Sequence, residues 1–583
     1  DVIYYEYDNL NKLTQKGLSP KGTVPESSVS YSYDISSRLT NVTDTSGAIS
    51  YVYDALNRVT SVNNSGKAVA YEYDFVGNRT KLTYPDNSYI TYEYDQLNRL
   101  TSITQDAQPL AQYTYDALSR RTGFNYANNT QTTYQYDNAN RLLDLANTIN
   151  GGVNISTFAY TYDKVGNHLT KDERRGTMDA VTSNYSYDNI YQLTQVTDQQ
   201  SQVTNYVYDK LGNRTTAEGK AYTSNNLNQY TQVDSTTLNY DPNGNLTGDG
   251  TCTYSYDYEN RLTSAIKSGT TANYKYDAFG RRVEKNVNGS ITKFVYDGDQ
   301  ITAEYDNSGT LQKKYMYGTG IDEVVMMDNV ASGKEYFYYT DGLGSITEVI
   351  DNTGNLIEKY KYGVYGAVFI YDSNDQPLTQ SQIGNSCLFT GKEFDFETGV
   401  YNNRARHYNP TLGRFTQPDP IGYYDSINLY LFVQNNPVNY FDPFGEDTYY
   451  INNKFNSSTP TDNDVWSHSF VATTDRNPVT GKEEVKKTYS WVNTGGGMWE
   501  DPLKQQNKEG AQKAIDTGVG AKKKGDESLD KYVDELFEER KGEKGGFGYL
   551  PPNPRGTCKD QANKLINDAI KKRAQDTARR IKK

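Results

Sequence analysis

A short aromatic unit recurs along much of this 583-residue chain, and it limits the possible folds more than any other feature. The unit reads Tyr-x-Tyr-Asp, three or four residues, Asn or Ser with Arg, a hydrophobic residue and Thr. It stands as YSYDISSRLT from Tyr31, YVYDALNRVT from Tyr51, YEYDFVGNRT from Tyr71 and YEYDQLNRLT from Tyr92. YSYDYENRLT from Tyr254 and YKYDAFGRRV from Tyr274 continue it. The tyrosine before the aspartate falls at 33, 53, 73, 94, 115 and 136, a period of about twenty, and wider gaps near 162 and 187 mark inserted turns. Tyr-x-Tyr places two rings on one face of a strand, because strand side chains alternate. Asp and the Asn or Gly after it turn the chain, since both tolerate positive φ or bond their own backbone. Arg-Leu-Thr then opens the returning strand. Such hairpins are expected to stack edge to edge into one long spiralling sheet that hides its own edges. A single hairpin would be marginal, so the array should fold as a unit.

Composition agrees. Tyr outnumbers Phe 55 to 18 and hydrophobic residues make up only 35% of the chain, which suits sheets of half-polar aromatics better than a helical core. No run of about 18 apolar residues occurs, so no membrane-spanning helix is expected. Cys252, Cys387 and Cys558 are an odd set without a CxxC pair, which argues against a disulfide framework or a zinc ribbon. No metal-ligand cluster or cofactor motif is evident, and none is expected. Of the net charge of −13, residues 446–583 carry +3 and residues 1–445 therefore −16. That mild positive balance is only weak support for a nucleic-acid partner, and none is expected. The chain begins at Asp1 without a leader, and is read as a fragment whose upstream region lies elsewhere.

Between Tyr401 and Gly445 the tetrapeptide Asp-Pro-x-Gly occurs twice, at Asp419–Gly422 and Asp442–Gly445. Pro after each Asp fixes φ, and the Gly supplies a positive-φ or close-packed position. If the two turns pack together, Asp419 and Asp442 meet in a confined space. Like charges cannot both ionise cheaply there, so one carboxyl keeps its proton and the other acts as base. That is the chemistry of aspartic proteases: one carboxylate activates water and its partner protonates the carbonyl or the leaving amine. On the residues alone, two turns capping a sheet would explain the same pattern.

YYTDGLGSITEV from Tyr338 and TGKEFDFETGVYNNRARHYNPTLGRFTQPDPIG from Thr390 closely resemble the core-end signature of the YD-repeat, or Rhs, family. The resemblance covers residues 1–445. It implies a mainly β fold, a hollow cocoon whose strip of sheet winds round a cavity, followed by a small α+β toxin domain. The implied division is a YD-repeat shell over 1–389, a core-end region with an aspartyl self-protease over 390–445, and a toxin domain over 446–583. Rhs effectors and the C subunits of Tc toxins hold such a toxin inside the shell, whereas teneurins use a related shell for adhesion. Carried over residue by residue, the resemblance makes Asp419 and Asp442 the cleaving pair, with Arg406 supporting them. Cleavage is then expected close after Gly445, most simply between Glu446 and Asp447; family members carry an apolar residue where this chain has Glu446. The resemblance further implies a secreted effector acting in a target cell. Its partners would be its own toxin domain, a delivery machine (a type VI spike or a Tc-type complex) engaged through the upstream region, and a cognate immunity protein.

The tail loses the Tyr-Asp period. TYYINNKF, WSHSFVATTD and KKTYSWVNT read as strands, with GKEE at Gly481 as a hairpin turn. SLDKYVDELFEER reads as a helix, and so does CKDQANKLINDAIKKRAQDTARR, where Ala562, Leu565, Ile566, Ala569 and Ile570 form one stripe. Cys558 stands at the start of that last helix, where unpaired N–H groups lower a thiol pKa. His468 is the tail's one histidine and lies mid-strand. A helix-start Cys and a strand His make the constellation of papain-like hydrolases, with Asn493 as orienting group and Asp475 in reserve. The order His then Cys resembles circularly permuted members, the lecithin–retinol acyltransferase-like group. A buried structural Cys and a core His are the plain alternative. The competing activity is a metal-free RNase that uses His468 with Lys or Arg; a pure adhesion shell is the third reading.

Overall fold

The computed structural model describes residues 2–19, 28–105, 108–149, 152–423 and 426–446, together with the strands 470–476 and 483–490. The expected strands of the repeat are present, and every pairing joins antiparallel neighbours in sequence. Instead of one sheet there are two. A 23-stranded sheet runs from Val2–Tyr7 to Thr236–Thr237, and a 15-stranded sheet from Asn239–Tyr240 to Pro377–Leu378. The break falls at Leu238, whose buried side chain joins the core while its N–H turns back to the Thr231 carbonyl. Among the described residues, the first and last strands of each sheet pair on one side only, so these are open strips, as a cocoon of wound sheet requires.

Each repeat closes by a local device. In the turn after Tyr53, Asp54 Oδ1 accepts the N–H groups of Leu56 and Arg58 at 2.8 and 2.9 Å, and Asn57 adopts φ 65°. Arg58 Nε donates to Asp54 Oδ2 at 2.6 Å while its Nη1 donates to the carbonyl of Asp74, in the next turn, at 2.8 Å. The guanidinium lies 4.7 Å above the Tyr73 ring, whose hydroxyl donates to the Val59 carbonyl at 2.7 Å. Tyr53, Tyr94, Tyr115 and Tyr136 make the same kind of hydroxyl bond to the preceding repeat. A phenylalanine could not, which is why the array is built on tyrosine.

Period-two alternation decides what each arginine does. An Arg four residues after the Asp joins the ladder along the turns, as Arg38, Arg58, Arg99, Arg120 and Arg141 do. An Arg five residues after it is carried to the opposite face and buried. Arg79 crosses to Asp297 at 2.6 Å, Arg121 reaches Glu323, and Arg282 pairs with Asp395 at 2.6 Å.

The second sheet is the middle layer. In the strand Lys334–Thr340, Phe337 and Tyr339 pack on the first sheet, while Tyr336 and Tyr338 pack on residues from Ile383 onward. That outer layer is a four-stranded sheet of Glu393–Asp395, Val400–Asn403, Arg406–Asn409 and Arg414–Phe415. In the tail, Phe470–Arg476 and Glu483–Ser490 pair antiparallel; Glu483 and Glu484 of the expected GKEE turn belong to the second strand, and Gly481 and Lys482 lie outside the described residues. No α-helix occurs among the described residues, and none of them forms a helix long and apolar enough to cross a membrane. Both tail helices lie outside the described residues.

Candidate functional site

Arg406 opens its strand immediately after a tight turn in which Arg404 takes φ 63°. The strand pairing buries it to 1% exposure, its guanidinium 3.7 Å from the Phe415 ring centre. A cation placed there must find anions, because an unpaired buried charge is costly. It finds two. Nη1 lies 2.9 Å from Asp419 Oδ2, and Nη2 lies 3.5 Å from Asp442 Oδ2. The two aspartates expected to meet do meet, across one guanidinium.

Both turns present their carboxylates in the same way. Asp419 Oδ1 accepts the N–H of Ile421 at 2.9 Å, and Asp442 Oδ1 accepts those of Phe444 and Gly445 at 3.1 and 2.8 Å. Each turn thereby fixes one oxygen and leaves Oδ2 facing Arg406. The 2.9 Å approach to Asp419 Oδ2 is an ion contact without hydrogen-bond alignment, so this buried oxygen accepts no aligned hydrogen bond from the described residues. Asp419 Oδ2 is thus held by the Arg406 ion contact and not by its own turn, which leaves its lone pairs aimed into the site.

Burial pushes the Asp442 carboxyl up to about 6, against the lowering pull of Arg406, Lys392 and the two backbone N–H groups. A carboxyl of that strength can hold a proton near neutrality and give it up.

The same arginine grips the chain at the expected cleavage region. Arg406 Nε donates to the Gly445 carbonyl at 2.5 Å, and Ala405 N–H donates to that of Phe444 at 3.0 Å. Gly445 has φ 68°, and a Cβ on it would lie 2.2 Å from the Asn403 carbonyl oxygen. Only glycine fits there. Lys392 Nζ and Arg404 Nη1 both donate to the Pro443 carbonyl, and both cations pair with partly buried Asp322 at 2.5 Å. Burial, with Arg404 beside it, pulls the Lys392 amine down to about 8 against the attraction of Asp322.

Lys392, Arg404 and Asp322 were not among the residues expected at the site. Lys392 and Arg404 lie within the core-end motif, yet a charged residue in a polar stretch carries no sign of burial. Of the remaining expected residues, Glu446 follows Gly445 and is partly buried. Asp447, His468, Asn493 and Cys558 lie outside the described residues. No group of His, Cys, Asp and Glu fit for a metal occurs among the described residues.

Comparison with known proteins bears on the whole array. The sequence matches the family model described as Teneurin YD-shell over residues 2–181 and 172–438. It is 31% identical over 257 residues to the tRNA3(Ser)-specific nuclease WapA of Bacillus spizizenii, and likewise to the tRNA nuclease WapA of Bacillus subtilis. Those matches cover 42% of this chain and 11% of each relative, so the chain spans about a tenth of their length. Among solved structures, TcdB2-TccC3-Cdc42 superposes with a TM-score of 0.62 at 18% identity, covering 76% of this chain and 26% of that one. The Tc holotoxin pore of Photorhabdus luminescens gives 0.52 at 16% identity, covering 79% and 30%. At such identities these likenesses show the fold.

Proposed function

Because the chain belongs to the teneurin YD-shell family, we propose that it is the shell end of an exported toxin that cuts itself free of its own C-terminal domain. In this reading residues 1–389 are the shell, 390–445 the self-cleaving end and 446–583 the toxin. The observation that carries it is the single guanidinium of Arg406 holding both Asp carboxylates and the Gly445 carbonyl. Asp419 takes a proton from a water that attacks the Glu446 carbonyl carbon. Asp442 protonates the carbonyl oxygen, and the collapsing intermediate passes a proton to the Asp447 nitrogen as the bond breaks. Arg406 orients the pair and transfers no proton.

Purified protein should therefore run in denaturing gels as a large band and one of about 15 kDa, the mass of residues 447–583. Asp419→Asn or Asp442→Asn should each leave one band. Two bands persisting in both variants would mean an external protease. The released fragment should co-elute with the shell under native conditions and resist added protease until the shell is denatured. Its loss from an intact shell would refute containment.

For the tail, the sequence supports a thiol hydrolase or acyltransferase with Cys558 as nucleophile, His468 as base and Asn493 orienting the ring. The relatives named as tRNA nucleases favour a second reading, RNA cleavage by a metal-free tail that relies on His468. Expressing 447–583 separates them. Toxicity lost in both Cys558→Ala and His468→Ala supports the thiol enzyme; toxicity kept in Cys558→Ala with degraded cellular RNA supports the nuclease. A harmless tail would favour an adhesion shell. The toxin reading also calls for a delivery complex and an immunity protein, which co-purification with the non-cleaving Asp442→Asn chain would identify.

A further inference from the structure

The chain that delivers Asp442 to the site is laid across turns of the repeat array, and the sequence of those turns records it. Five successive turns along one edge of the array, starting at Asp163, Asp188, Asp209, Asn225 and Asp241, have an amide rather than Arg four residues on: Asn167, Gln192, Asn213, Gln229 and Asn245; further back on that edge the Asp74 turn shares the device with Asn78. The flanking turns carry Arg141 and Arg261. The five amide residues are 0–7% exposed, as is Asn78 at 2% in a turn outside the strap, whereas the side chains of Arg38, Arg58, Arg99, Arg120, Arg141, Arg261 and Arg281 are 13–30% exposed; burial alone therefore does not mark the covered turns, and their bonds to the covering segment do.

What covers them is the segment leading to the second DPxG turn, with its neighbours. Asn428 Nδ2 donates to Asn213 Oδ1 at 2.8 Å, Gln229 Nε2 donates to the Tyr430 hydroxyl at 3.1 Å, and the Leu246 N–H donates to the Thr416 carbonyl at 2.8 Å. Asn435 Nδ2 bridges Gln192 Oε1 at 2.9 Å and the Gly212 carbonyl at 2.8 Å. Asn436 reaches Asn167, and Asn439 Oδ1 accepts the His168 N–H at 2.8 Å, three residues before Asp442. Backbone strain points the same way. Val433, Gln434 and Asn435 all have positive φ, at 42, 53 and 58°, a run that a β-branched residue enters only when outside contacts hold it.

Building on the self-cleavage reading, we propose that residues 427–441 are a strap that reads the stacking of these five turns, and that Asn435, Asn436 and Asn439 are positioning residues for Asp442. Cleavage then follows completion of this part of the shell. An unstacked array leaves Asp442 away from Arg406, so the toxin stays attached until its enclosure is built. An Arg in place of the amide is compatible with the turn itself, since other turns of the array carry it, but has no room beneath the strap.

The test is the rate of cleavage after cell-free synthesis of the full chain, with shell folding followed by protease resistance. Gln192→Arg should slow cleavage at least tenfold, Gln192→Asn should restore it, and Arg120→Asn, in a turn outside the strap, should leave it unchanged. Asn439→Ala alters the strap and no turn, and should slow cleavage too if Gln192→Arg prevents folding. Wild-type rates in Asn439→Ala, or in a folded Gln192→Arg, would overturn the strap while leaving the aspartate pair intact. Cleavage that survives Asp442→Asn would instead sink the self-cleavage reading, and the strap's role with it.

Discussion

Arginine and aspartate pair both in the repeat turns and at the junction, yet the two settings give opposite chemistry. In a repeat turn one Asp serves one Arg four residues away, at the surface. The backbone N–H of Arg38 holds the Asp34 carboxyl below its ordinary value; slight desolvation opposes it and the Arg38 guanidinium adds to it. At the junction one Arg is shared by two buried carboxylates that lie 13 and 36 positions further along the chain, and burial lifts Asp442 to about 6. The same ion pair is a turn clip in water and a proton-holding site when desolvated, because desolvation penalises charge more than a shared cation can repay.

The largest contrast should come from neutralising one carboxylate. Asp442→Asn should reduce self-cleavage by about 10²–10⁴-fold, the range for a lost acid or base. Asp54→Asn, in an array turn, should leave cleavage unchanged. Equal loss from both would mean that the junction pair has no special role.

Removing the cation sharpens the comparison next. Arg406→Ala leaves two carboxylates buried and should cost about 3–5 kcal/mol of stability, with slowed rather than abolished cleavage. Arg58→Ala, whose side chain is 27% exposed, should cost no more than about 1 kcal/mol. Paired denaturant melts on a non-cleaving Asp419→Asn background, where Arg406→Ala strands the single carboxylate of Asp442, should still show a cost toward the lower end of that range and well above that of Arg58→Ala.

The pH dependences should run in opposite directions. A folded pKa of about 6 exceeds the ordinary carboxyl value of 3.8, so the folded state holds the Asp442 proton more tightly. Its contribution is fully present below pH 3.8 and is lost as pH rises through 6, by about 3 kcal/mol in all. Array carboxyls such as Asp34 behave the other way: their contribution holds above the ordinary value and fades as pH falls. Melting wild-type-like and Asp442→Asn shells between pH 4 and 7 should isolate the first trend. Cleavage that depends on protonated Asp442 should also slow above pH 6.

The smallest effect separates two glycines. Gly445→Ala forces a Cβ to 2.2 Å from a backbone oxygen and should slow cleavage while costing about 2 kcal/mol. Gly422→Ala, at φ 70° with open space beside it, should cost about 1 kcal/mol and leave cleavage near normal.

The alternation of the strands and the Asp-led turns were legible in the sequence, because each is settled within one repeat by the pleat or by a turn; the tyrosine hydroxyl bonds were not, because they reach the preceding repeat. The DPxG pair was legible as well, since its two turns share a local design. Which arginine would serve them was less so: Arg404 and Arg406 stand two apart in Asn-Arg-Ala-Arg, and only the strand pairing sends one to the Asp pair and the other to Asp322. The split of the array at Leu238, the crossing of Arg79 to Asp297 and the burial of Lys392 also wait on tertiary structure. Local geometry sets φ, ψ and the facing of each side chain. Desolvation, which decides whether a charge clips a turn or holds a proton, depends on layers brought together from hundreds of residues apart.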